Sequence, residues 1–147
     1  MLDRRSFLIS ALVAGATCPM SSVSAGAAVD TIEFGDLYER QTIFSERAKA
    51  LDGASVEMVG FMAPPLKAES RFFVLTRMPM SVCPFCETEA DWPSDIIVVY
   101  TQDLISVVPF NFPIRVNGRL ELGTTKDPEM GFVSRVRLQD ADFERVG

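Results

Sequence analysis

Histidine is absent from this sequence. With it go the usual general base, the usual zinc ligand and the usual switch at physiological pH, so Ser-His-Asp and Cys-His catalysis are excluded. No GxGxxG or GxxxxGK[ST] phosphate loop is present, and no repeat of solenoid length, which leaves nucleotide chemistry without support. Positive charge is scarce as well: 14 Lys and Arg stand against 20 Asp and Glu, a net charge of −6. Proteins that bind nucleic acid or anionic lipid concentrate basic residues, so neither partner is expected. Cysteine is limited to three residues, Cys18, Cys83 and Cys86.

The N-terminus holds a distinct segment. Asp3-Arg4-Arg5-Ser6-Phe7-Leu8 places two arginines ahead of an uncharged stretch, Phe7 to Ala16, rich in Ile9, Ala11, Leu12, Val13 and Ala14. That stretch is shorter than the about 20 apolar residues that span a bilayer. Small residues follow from Ser21 to Ala28, and cleavage by a signal peptidase is expected after Ala25 or Ala27. The paired arginines with Phe7 and Leu8 resemble the signal of the twin-arginine route, with Asp3 where Ser or Thr is usual. Residues 1–27 are therefore assigned as signal peptide, the membrane is met only through it, and the mature chain is expected in the periplasm. Lipidation at Cys18 is the rival reading, opposed by the bulk of Thr17 and by Pro19. Cleavage after Ala27 removes two basic residues and one acidic, taking the net charge from −6 to −7.

The remaining length fits one domain with a real core. Phe34, Leu37, Phe44, Ala48 and Leu51 recur mainly at three- and four-residue spacing, which makes 28–53 an N-terminal helical segment with its helix at Ser45 to Leu51, ended by Gly53. From Ser55 the period becomes two: Val56, Met58, Gly60 and Met62 face one way, Glu57, Val59 and Phe61 the other. Phe72 to Thr76 and Ile96 to Tyr100 read as the second and third strands. Ile114 to Leu122 alternates as a fourth; Asn117-Gly118 could turn a hairpin, but the glycine embedded in an apolar alternation matches the first strand, as a curved strand requires. A fifth strand, Phe132 to Leu138, follows the turn chemistry of Asp127-Pro128-Glu129-Met130-Gly131. The fold expected for 54–147 is all-β, a five-stranded Greek-key barrel of the oligonucleotide/oligosaccharide-binding type.

Leu51-Asp52-Gly53, Gly60-Phe61-Met62 with Pro64, and Phe72-Phe73-Val74-Leu75 leading to Cys83 resemble an uncharacterised family of bacterial exported domains. Some of its members are encoded near ABC transporters of the macrolide-exporter or lipoprotein-release type. The resemblance implies an envelope or transport-accessory role, with an envelope protein or a transporter component as partner. Typical members carry one cysteine before a proline-rich run, whereas here Cys86 accompanies Cys83, with Asp91-Trp92-Pro93 beyond.

Chemistry concentrates between Met78 and Trp92, and three readings of it stand. Cys83 and Cys86 can form a disulfide that closes a short loop and holds Phe85 and Trp92. Alternatively, the Cys-Pro-Phe-Cys spacing, which occurs in glutaredoxin-like enzymes, lets one thiolate attack and the other resolve. In the third reading the two thiolates bind Cu(I) with thioether from Met78 and Met80, or share zinc across a dimer. Glu87, Glu89 and Asp91 read as a solvated loop. Arg115, Arg119, Arg135 and Arg137 fall on outward positions of the last two strands, where they could receive a partner's acidic segment or an anionic ligand, though cross-strand pairing with Glu57 or Glu121 is the commoner explanation. The function expected is that of a non-enzymatic envelope binding or accessory protein with no cofactor, using the Cys83 to Cys86 loop with Phe85 and Trp92. The alternative is a thiol-disulfide oxidoreductase or a Cu/Zn-handling protein.

Overall fold

The computed structural model describes residues 28–65, 67, 69–81 and 93–147. Its strands are β1 (Asp30–Thr31), β2 (Tyr38–Arg40), β3 (Ile43–Phe44), β4 (Ser55–Met62), β5 (Phe72–Thr76), β6 (Ile96–Thr101), β7 (Pro113–Lys126) and β8 (Val133–Arg145). A single α-helix, α1 (Glu46–Leu51), precedes β4, and a 3-10 turn covers Phe34–Asp36.

Period-two patterning decides which face of each long strand goes inward. Val56, Met58, Gly60 and Met62 of β4 are buried, as are Ile114, Val116, Gly118 and Leu120 of β7. Asn117-Gly118 lies within β7, paired across to Glu57 and Val56, so no hairpin turns there. Burying such apolar side chains contributes about 1.5–3 kcal/mol each before conformational entropy is set against it. β6 is buried over Ile96 to Val99 on both faces. Phe73, Leu75, Ile97, Val99, Val136 and Leu138 complete the main core, and Ile32, Phe34, Leu37 and Ala48 join it from the N-terminal segment.

The closed five-stranded barrel expected from the sequence is corrected by the pairing. The main sheet has six strands in the order β1-β4-β5-β6-β8-β7. β7 runs back along β4 from Ser55↔Arg119 to Phe61↔Pro113, so the sheet coils strongly. The seam between β4 and β5, however, is only two residue pairs, Phe61↔Thr76 and Met62↔Leu75. Farther back, β4 pairs instead with β1, in parallel, at Val56 and Glu57. The result is a coiled six-stranded sheet rather than a continuous barrel wall. β2 and β3 form a second, two-stranded sheet.

Within residues 28–53 the helix expected at Ser45 to Leu51 is present, and the rest of the segment is not α-helical. Only Glu46 to Leu51 is α-helical, with Ser45 as N-cap accepting from the Ala48 N–H at 3.0 Å. Phe34 and Leu37 owe their spacing to the 3-10 turn, and β1 to β3 are too short to show a period. Gly53, at φ 81°, reverses the chain after α1, and its N–H donates to the Leu120 carbonyl at 2.7 Å.

The turn between β7 and β8 is tied to β6 by one hydrogen bond. Tyr100 Oη donates to Asp127 Oδ2 at 2.7 Å, while Asp127 Oδ1 accepts from the N–H groups of Met130 (2.7 Å) and Glu129 (2.9 Å). Burial opposes ionisation of Asp127, but the hydrogen bonds from Met130, Tyr100 and Glu129 outweigh it and hold its pKa below the ordinary value. Tyr100 is pushed far above its ordinary value by burial first and by the Asp127 carboxylate second. A lowered carboxylate pKa contributes stability that is present above the unfolded value, about 3.9, and lost as pH falls through the folded one. Wild-type protein therefore loses melting temperature between pH 5 and pH 2.5 by a margin that shrinks in Asp127→Asn. At pH 7 that variant is destabilised by about 1 kcal/mol. Thermal unfolding followed by circular dichroism at both pH values checks this.

Candidate functional site

The connection from β6 to β7, residues 102–112, is fastened at several points. Its entry is fixed by the Thr101 N–H, which donates to the Arg71 carbonyl at 2.7 Å, and by the Thr101 hydroxyl, which reaches the Asp103 carbonyl at 2.7 Å and lies 3.0 Å from that of Arg71. The Ile105 N–H donates to Ser70 O at 2.9 Å, and the Ser70 hydroxyl closes its own turn onto Phe72 O. The Val108 N–H reaches Met62 Sδ at 3.4 Å, and the Phe112 N–H closes a turn onto Pro109 O at 3.0 Å. The Ile105 and Val108 side chains enter the core.

Between those anchors the same loop exposes large apolar side chains: Leu104 at 57%, Val107 at 54%, Phe110 at 39% and Phe112 at 40%. The Arg145 guanidinium lies 4.1 Å from the centre of the Phe112 ring. Beside the loop is a groove between Thr101–Ser106 and Asp140–Phe143. Leu104, Ile105, Ala141 and Phe143 supply its apolar surface, and Asp103, Asp140 and Asp142 its carboxylates. Asp140, in the left-handed region at φ 49°, lies 3.6 Å from Arg119 and accepts from Gln102 at 3.5 Å. Asp103 and Asp142 are exposed and form no ion pair among the described residues. Apolar side chains held in place by an ordered backbone can bind a partner with little loss of loop entropy.

The arginines singled out from the sequence are dispersed by their contacts. Arg115 lies 3.5 Å from Glu57 and 3.1 Å from Glu144, and Arg119 lies 3.6 Å from both Glu121 and Asp140. Arg137, expected to point outward, is buried: it donates to Glu121 (3.3 Å), Gly123 O (2.9 Å), Ser134 O (3.2 Å) and Ser134 Oγ (3.1 Å). The cause is its register beside Val98 of β6 and Glu121 of β7, which gives the guanidinium acceptors on the covered side of the sheet. Arg135 packs 4.9 Å from the Phe44 ring centre and 5.8 Å from that of Tyr38, and donates to Thr42 O at 2.7 Å. It thereby pins the β2–β3 hairpin and borders a second groove with Gln41, Thr42, Arg77 and Met78.

Met78 is exposed and Met80 half-buried, whereas Met58 and Met62 fill the core. Cys83, Cys86, Phe85 and Trp92 lie outside the described residues, and with them the disulfide, redox and metal readings placed on them. Among the described residues no group of three or more cysteines and carboxylates could hold a metal ion. No described helix is long and apolar enough to cross a membrane.

The sequence reading missed the loop 102–112. Its signal was Leu104-Ile105, Val107-Val108, Phe110 and Phe112, an apolar density too high for an ordinary connection but without strand or helix period.

The fold has a relative among solved structures. The crystal structure of a DUF3299 family protein from Pseudomonas aeruginosa matches with a TM-score of 0.50, at 15% identity, over 82% of this chain and 97% of that one. At that identity the likeness is one of fold. No protein-family model matches the sequence, and no curated protein does.

Proposed function

We propose that this chain is an exported, non-enzymatic binding or accessory protein of the bacterial envelope, and that the fastened loop 102–112 is its docking surface. The observation that carries the reading is the pairing of buried anchors, Ile105 and Val108, with exposed Leu104, Val107, Phe110 and Phe112 on one short loop. Contiguous exposed apolar side chains on an ordered surface are characteristic of interaction sites. Export rests on Arg4-Arg5-Ser6-Phe7-Leu8 and the apolar stretch after it. A transporter component is the partner class that the family resemblance favours.

Replacement of Val107 by a photo-crosslinking amino acid tests both parts in living bacteria. Light-dependent adducts form in the periplasmic fraction from position 107 and not from Glu46 on exposed α1. They disappear when Leu104 and Phe110 are changed to serine. Arg4→Lys with Arg5→Lys retains the protein in the cytoplasm and removes the adducts. Equal adducts from positions 46 and 107 overturn the docking reading, and periplasmic protein in the double lysine variant overturns the export route.

A further inference from the structure

We infer that the partner segment received by this loop is basic and amphipathic, with apolar side chains against Leu104 and Val107 and Lys or Arg over the adjoining groove. The inference rests on the docking role proposed for the loop and adds the chemistry of its occupant.

Charge complementarity singles out that occupant. The apolar ridge does not end in neutral surface: Asp103 precedes Leu104 directly, and Asp142 stands across the groove. Neither forms an ion pair among the described residues, whereas Asp140, on the same groove, lies against Arg119, and Glu144, two residues beyond Asp142, pairs with Arg115. The groove between the two carboxylates has an apolar floor from Ala141 and Phe143. It suits a side chain with a methylene stem and a cationic head, which buries the stem and keeps the charge at the rim. An acidic or purely apolar partner would leave the two carboxylates facing like charge or stripped of water without a counterion. An anionic bilayer meets the same repulsion.

The test uses the mature full-length protein and two fluorescent peptides of equal length and leucine content, one alternating with lysine and one with glutamate. Fluorescence anisotropy detects binding of the lysine peptide, and raising the salt from 50 to 300 mM weakens it by screening. The glutamate peptide does not bind. Asp103→Asn with Asp142→Asn weakens the lysine peptide about five-fold, and Leu104→Ser with Val107→Ser weakens it by more than about ten-fold. All four positions are exposed, and an unchanged melting temperature verifies that the variants fold. Equal affinity for both peptides, or no effect of the aspartate changes, overturns the inference. So does loop-dependent binding to phosphatidylglycerol vesicles, or loop-dependent self-association in sedimentation, since either assigns the ridge a different occupant. Loop-dependent adducts in cells together with no preference for the lysine peptide would refute the basic partner alone. Absence of the adducts would refute the docking surface itself.

Discussion

Gly60→Ala lowers the stability of the domain by about 3 kcal/mol and its melting temperature by roughly 10 °C. A β-carbon at this position would lie 2.7 Å from the Thr76 carbonyl oxygen and 2.9 Å from Leu75 Cγ. The first of these is backbone and belongs to the seam, where β4 and β5 are joined by only Phe61↔Thr76 and Met62↔Leu75. Relief therefore requires the two strands to separate where their pairing is thinnest. Gly118→Ala makes an instructive contrast, since its nearest neighbours would be Ala141 Cβ at 3.0 Å and Leu138 Cβ at 3.1 Å. Small adjustments accommodate it, at a cost of about 1 kcal/mol. Urea unfolding of both variants measures the difference, and a Gly60→Ala midpoint equal to wild type would show that the seam can yield.

Arg137→Met costs about 3 kcal/mol, although it keeps much of the stem volume. The guanidinium satisfies two backbone carbonyls, Gly123 O and Ser134 O, as well as Ser134 Oγ and Glu121. Methionine offers none of them a donor, and Ser134 is as deeply buried as the arginine itself. Arg137→Lys recovers about half the loss, because an ammonium cannot reproduce the planar fork that reaches several acceptors at once. Glu121→Gln costs only about 1 kcal/mol, since Glu121 is partly exposed and water can replace much of what it gives. Chemical unfolding of the three variants separates the carbonyl-satisfying role from the ion pair: equal losses in Arg137→Met and Glu121→Gln would assign the whole effect to the pair.

Much of the sheet is legible in the sequence because its period-two faces are complete. β4 and β5 run over the residues that their alternation and β-branched density indicate, and β6 extends the expected strand by Thr101 alone. β7 and β8 run longer than their apolar patterns. Beyond Leu122, β7 continues to Lys126 without an apolar face, sustained by pairing with Ser134 and Val133, and beyond Leu138, β8 continues to Arg145 along Ile114 to Arg119, with only Ala141 and Phe143 turned to the core. β1 to β3 are two or three residues long and carry no period at all. The outward assignment of Arg137 failed for a related reason. Alternation gives the side of the strand but not whether that side meets solvent, and the neighbours that cover it come from distant segments. The loop 102–112 was obscured because its burial follows anchoring contacts to Ser70 and Met62, which no local pattern records.

The long ladder between β4 and β7 sets an order of events during synthesis. Ser55 finds Arg119, and Val56 finds Gly118, only after more than sixty further residues have left the ribosome. β6 likewise waits for β8, its parallel neighbour through Val98↔Arg137 and Val99↔Leu138. Until then β4, β5 and β6, with β1 paired to β4 at Val56 and Glu57, leave open the edge of β4 that β7 takes and the edge of β6 that β8 takes. A nascent chain of this protein therefore cannot complete its sheet until both β7 and β8 have emerged. The residues of β8, though far from β6 in sequence, are what join β6 to β7 and turn that sheet into a finished domain.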